Sequence, residues 1–166
     1  MQQRTPVHRA PMRARDRDLP PGAGAAFGLA HGLVGTGDAL DVAPATLDEA
    51  VAAATDRHGD KAGRMLRRFA EVPAGAFVWT RTAGDPQDAP FRLGRITGPW
   101  RYDDAPAARE VGIHHVRPAD WLDRPFAEDE LPAGVAATFG RGGRNFQRTH
   151  DADAEEATAA LWAAHA

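Results

Sequence analysis

RLGRITGPWRYDDAPAAREVGIHHVRPADW, residues Arg92 to Trp121, alternates like sheet, breaks at Gly98-Pro99 and brings Trp100, Tyr102 and Trp121 close together in sequence. Alternation puts every second side chain on one face of a strand. A short strand leaving a Gly-Pro corner therefore holds Trp100 and Tyr102 on one surface. Flat aromatic faces flanked by Arg92, Arg95, Arg101 and Arg117 suit a planar polar ligand such as a nucleobase. The competing reading makes the same aromatics the core of a small barrel, the usual fate of aromatics in small domains.

Outward from this stretch, the pattern is one of short strands and short helices. Ala76–Thr82 (AFVWTRT) reads as a strand, with Phe77, Trp79 and Arg81 on one face and Val78 and Thr80 on the other. A turn-rich connection, Gly84–Pro90, returns the chain through Phe91–Thr97, so these two strands are expected to pair antiparallel. Asp103–Ala108 reads as a polar loop and Val111–Arg117 as the next strand. Glu128–Glu130 and Pro132 lead into a short helix ending near Gly140, after which GRGGRNFQRT re-enters the sheet through Asn145–Arg148. An Asp153-x-x-Glu156 cap opens a closing Ala-rich helix that docks Leu161 and Trp162.

Upstream, Thr46-Leu47-Asp48-Glu49 is a capping box, predicting a helix to about Arg57 that His58-Gly59 ends. A second helix from Asp60 to about Ala70 turns Met65, Leu66 and Phe69 inward and Lys61, Arg64, Arg67 and Arg68 outward. That face is the densest local charge in the part expected to be ordered, although a solvated surface is its ordinary meaning. FGLAHGLVGTGD (Phe27–Asp38) reads as a short buried strand, with glycines where a backbone passes closely. Residues 1–26 carry five arginines and four prolines with almost nothing apolar, and read as a disordered arm, inert or touching a phosphate backbone. The expected organisation is that arm plus one domain over 27–166.

Composition narrows the function classes. The 166 residues hold 20 Lys+Arg against 23 Asp+Glu, a formal charge of -3, so no global positive field announces nucleic acid. Lys61 is the sole lysine. Absence of cysteine excludes disulfides, thiolate zinc sites and a Cys nucleophile, and fits a reducing cytoplasm. Neither a membrane span nor a signal-peptide core is visible. His114 and His115, adjacent on a strand, point to opposite faces and cannot chelate one ion. GRGGR lacks the Lys-Ser/Thr of a phosphate loop, and a chain without serine has no Gly-x-Ser-x-Gly. Asp103, Asp104 and Glu110 find no matching carboxylate pair downstream. The expectation is a non-catalytic protein without cofactor or metal.

Taken as an ordered set, GAFVWTRT, FRLGRITGPWRYDD, HHVRPADWL and FGRGGRNFQRTHD resemble a bacterial branch of the PUA-like superfamily, similar to EVE and YTH domains and often found beside restriction-type nucleases. The resemblance covers about Phe27 onward. It implies an α+β fold: a small, partly closed β-barrel of about five or six strands with flanking helices and a pocket for a flipped, often modified, DNA base. By position, Trp79, Thr97, Trp100, Tyr102 and Trp121 would fall near that pocket, with Arg117 and Asn145 as polar candidates. Arg95, Arg101, Arg141 and Arg144 would be phosphate contacts. The chain departs from these relatives at Asp38, where they place an aromatic. The implied partners are DNA with a modified base and a separate nuclease subunit. The alternatives are an RNA-binding module of the same fold and a structural or partner-binding protein.

Overall fold

β3 (Phe77–Arg81) and β4 (Phe91–Ile96) pair antiparallel, Trp79 opposite Leu93, as the alternation predicts. Both faces of β3 are covered: Phe77 and Trp79 enter one apolar cluster, while Val78 enters another on the opposite side. That double burial leaves four of the five β3 positions buried, with Arg81 exposed. In this computed structural model, which describes residues 4–15, 18–83 and 88–166, these strands are the middle of a mixed sheet. The order is β2 (Leu33–Thr36), β6 (His115–Trp121), β4, β3, β1 (Val7–Arg9), β7 (Gln147–Arg148), with β5 (Arg101–Tyr102) on β6. The sheet curls into a half-barrel, and six α-helices flank it among the described residues.

The Gly98-Pro99 corner does what its sequence promises. β4 and β5 pair in succession along one edge of β6. Five positions separate Ile96 from Arg101, but only three separate their partners Ala119 and Val116, so two residues are extruded at the corner. Pro118 lies opposite this break, accepting from the Thr97 amide. A proline donates nothing to a ladder, and here no donor is needed.

α2 (Leu47–His58) and α3 (Asp60–Glu71) form a hairpin joined at Gly59 alone. The Thr46 hydroxyl accepts from the Glu49 amide, and the Glu49 carboxylate accepts from Ala45, one residue earlier than the usual box. Leu66 and Phe69 are buried as expected; Met65 is only half-buried. α5 (Ala133–Gly140) and α6 (Ala152–His165) cover the other side, and Leu161 and Trp162 dock on that cluster.

Several expectations are corrected. The arm is not a bystander: Val7–Arg9 is a strand between β3 and β7, parallel to β3, and Val7, Ala10 and Met12 are buried. Short apolar runs escape a composition argument when a ready-made slot between two strands supplies their partners. Within the same arm, residues 1–3 and 16–17 lie outside the described residues, as do 84–87 of the predicted turn. Order also begins before Phe27, in α1 (Ala23–His31), and only Leu33–Thr36 of the predicted buried stretch is strand. The polar loop expected over Asp103–Ala108 gives way in its second half to α4 (Pro106–Val111), opened by Pro106 and closed by Gly112 at φ 68°. Consequently β6 starts at His115 rather than Val111. The closing helix is capped by Asp151, whose side chain accepts from the Asp153 and Ala154 amides, instead of by Asp153.

Candidate nucleic-acid interface

The end of β2, the α2–α3 hairpin, the start of β6 and the segment before β7 surround a cleft of about 70 Å³. One water needs roughly 10–15 Å³ on this measure, so the space is that of several waters or a small planar ring. Apolar walls come from Leu40, Met65, Leu66 and Phe146; Thr36, Asp38, His58, His115 and Asn145 add polar groups, and Arg13, Arg15 and Arg144 add positive charge. Chain geometry places them. Met12, at φ 51°, turns the segment after β1 so that Arg13 and Arg15 follow onto the cleft. Gly142 and Gly143, at φ 73° and 98°, give the GRGGR segment the left-handed backbone that delivers Arg144 and Asn145.

Asp38 is the one carboxylate lining the cleft among the described residues. Arg15 Nε donates to its Oδ2 at 2.5 Å, and His58 Nε2 stands 3.6 Å from the same oxygen. His58 Nε2 is buried with no hydrogen-bond partner among the described residues. On the facing side, His115 Nδ1 accepts from Trp100 Nε1 at 3.2 Å. An indole N–H can only donate, so the ring is the neutral tautomer with its proton on Nε2. Burial is the main cause holding the His115 pKa down to about 4, against an opposing pull from Asp38. The backbone of Asp38 hydrogen-bonds the same ring.

A second concavity adjoins the first. It is lined by Lys61, Arg64 and Arg68 of α3, by Arg148 of β7 and by His8 and His150, with no carboxylate among the lining residues. Met65, Asn145 and Phe146 line both spaces, so cleft and groove lie side by side on these three residues. Lys61, Arg64 and Arg68 carry no ion pair among the described residues, whereas Arg67, on the adjacent helix face, is committed to Asp48 and Glu71. Arg148 pairs with Glu155. His8 stacks on Phe146 at 4.9 Å, and its Nδ1 is buried without a hydrogen-bond partner among the described residues. Burial, then Arg148, lower the His8 pKa to about 4.

The predicted site residues divide. Asn145 and Arg144 line the cleft. Trp100 and Tyr102 stand behind it: Trp100 stacks on His115, and Tyr102 stacks on His114 while its hydroxyl accepts from the Leu40 amide. Each has a histidine stacked on one ring face, and neither is among the residues lining the cleft. Trp121 lies against Gly94, where a Cβ would come within 2.5 Å of its ring, and its Nε1 donates to the Leu33 carbonyl. Trp79 is fully buried on the far side of the sheet, donating to Thr158 Oγ1.

Arg117, expected to be a polar contact, is buried and spends its guanidinium on the carbonyls of Gly98, Phe69 and Val72. It caps the C-terminal end of α3 and staples it to the corner. Burial lowers its pKa. Thr97 is exposed beside that corner. Arg95 donates to the Gly75 carbonyl, and Arg101 lies 3.5 Å from Asp103. Arg141 is exposed on the GRGGR segment.

Sequence reasoning missed Asp38, His58, His115, Phe146, Arg13 and Arg15 as neighbours. Their numbers span the whole chain, and no local spacing joins them; the one available signal was Asp38, where an aromatic was expected. Among the described residues no group of three or more His, Asp and Glu could hold a metal ion, and no helix is long and apolar enough to cross a membrane. Comparison of this chain with protein-family models, with curated proteins and with solved structures finds no match.

Proposed function

We propose that this protein is a non-catalytic nucleic-acid-binding module of PUA-like type, in which the basic groove tracks the phosphate backbone and the cleft takes a base turned out of the strand, plain or modified. One observation carries the reading: a cleft of ring size lies beside a groove lined by Lys61, Arg64, Arg68 and Arg148 and, among the described residues, by no carboxylate. The net charge of -3 does not oppose this. Screening confines each charge to about 8–10 Å at physiological salt, so a ligand in the groove meets the local cations first.

Turning a base out costs a few kcal/mol of stacking and pairing, least in a single strand. Burial among Leu40, Met65, Leu66 and Phe146 offsets part of that, and phosphate contacts supply the surplus. A separate nuclease chain is the natural partner of such a reader. Fluorescence anisotropy with single- and double-stranded DNA and RNA oligonucleotides, over a salt series, tests the proposal. The expected result is binding that weakens linearly in log–log coordinates with salt, by roughly 0.7–0.9 per phosphate contact. No binding to any oligonucleotide at low salt overturns the reading. Preference for RNA over DNA of equal sequence would assign the RNA alternative, through 2′-hydroxyl contacts.

A further inference from the structure

The cleft holds more than shape. Arg15 and His58 both approach Oδ2 of Asp38. Arg15 is 43% exposed in its side chain and Asp38 22%, so the pair is open at the cleft instead of being sealed as a core ion pair. The protein therefore presents a guanidinium donor directly beside two carboxylate acceptors. Nucleobase edges differ in the complementary property. The Watson–Crick edge of guanine reads one acceptor, O6, then two adjacent donors, N1–H and the N2 amino group. Cytosine and adenine each offer an amino donor next to a ring acceptor, which a carboxylate repels. Thymine and uracil offer one N–H between two carbonyls.

Resting on the nucleic-acid reading above, we propose that the cleft selects guanine, with the Asp38 carboxylate accepting from N1–H and N2–H and the Arg15 guanidinium donating to O6. Arg144 lines the same cleft, and Asn145 lines both the cleft and the basic groove beside it. His58 flanks the carboxylate: its buried Nε2, without a hydrogen-bond partner among the described residues, stands 3.6 Å from Oδ2. A charged acceptor with two adjacent N–H donors is the kind of pair that discriminates strongly, because a base lacking them leaves a desolvated carboxylate unmatched.

The test uses the full chain and five single-stranded oligonucleotides identical except for one central base: guanine, inosine, adenine, cytosine or thymine. Inosine keeps O6 and N1–H and lacks only the N2 amino group, so it isolates one contact without altering the protein. The expected result is tightest binding to guanine, about tenfold over inosine and more over the other three. Asp38→Asn, checked for folding by circular dichroism, should erase the guanine–inosine difference. Equal, salt-dependent affinity for all five oligonucleotides overturns the guanine assignment and leaves the nucleic-acid reading standing. Absence of binding to every one of them overturns both. The guanine–inosine ratio of the unaltered protein decides the matter even where Asp38→Asn fails to fold.

Discussion

At the scale of single residues, the buried histidines set the acid behaviour of the protein. His8 and His115 are each held near pKa 4 by burial, against an ordinary value of about 6.5. The folded-state pKa is depressed, so as pH falls the unfolded chain takes up protons first. Stability is complete above about pH 6.5 and declines towards pH 4, by up to about 3 kcal/mol for each ring. Urea titrations across this window should show that loss, and His115→Gln should flatten the slope by one proton. Trp100→Phe keeps the ring stacked on His115 and removes the donor to its Nδ1. A stability loss of about 1 kcal/mol is expected, together with a rise in the His115 pKa, because the lost bond favoured the neutral ring. An NMR titration of His115 that stays at its original midpoint would disprove this linkage.

At the scale of elements, two buried arginines close two helices without any carboxylate. Arg117 takes the last carbonyls of α3, and Arg9 takes Thr138 and Gly142 at the end of α5, with Asn145 on its Nε. A cation at a helix C-terminus meets both the orphan carbonyls and the negative end of the dipole. Arg9→Met should therefore cost roughly 1–3 kcal/mol through acceptors left unpaired, read from denaturant midpoints. The same change should loosen the GRGGR segment and weaken oligonucleotide binding through Arg144 and Asn145. For α3 the prediction differs in kind. Changing Lys61, Arg64 and Arg68 together to Ala touches exposed positions, so stability should move by less than about 1 kcal/mol. The salt dependence of binding should become shallower by about 2–3 in slope. An unchanged slope would return this face to the status of ordinary solvated surface.

At the scale of the whole molecule, the N-terminal strand joins the β7 end of the sheet to its middle. β1 lies between β3 and β7, and its Val7 belongs to the same cluster as Trp79, Phe91 and Phe126. Removing residues 1–10 would expose the edges of two strands, open that cluster and release the Arg9 staple. The expected outcome is loss of cooperative thermal unfolding by circular dichroism. A truncated chain melting within a few degrees of the intact one would show that β1 is dispensable. The same segment, continuing through Arg13 and Arg15, also builds one side of the cleft, so fold and site depend on one stretch of chain.

The sequence by itself determined what is local. The alternation of Phe77–Arg81 and Phe91–Ile96 specified an antiparallel pair, the capping box specified α2, and Gly98-Pro99 specified a corner, because each signal acts over a few neighbouring residues. The outward basic face of α3 was legible for the same reason. Only the tertiary structure decided where those pieces met. Trp79 and Trp100 read alike in the sequence as aromatics of the sheet, yet one is sealed beneath α6 and the other props a histidine behind the cleft. The difference lies in what packs on each face, and sequence spacing does not contain it. Nor does spacing carry the value of three apolar or arginine positions in the first ten residues. Those gain their meaning from a slot between β3 and β7, made by residues 70 to 140 positions away. The cleft is assembled the same way, from chain segments whose only common property is the place to which the folded sheet brings them.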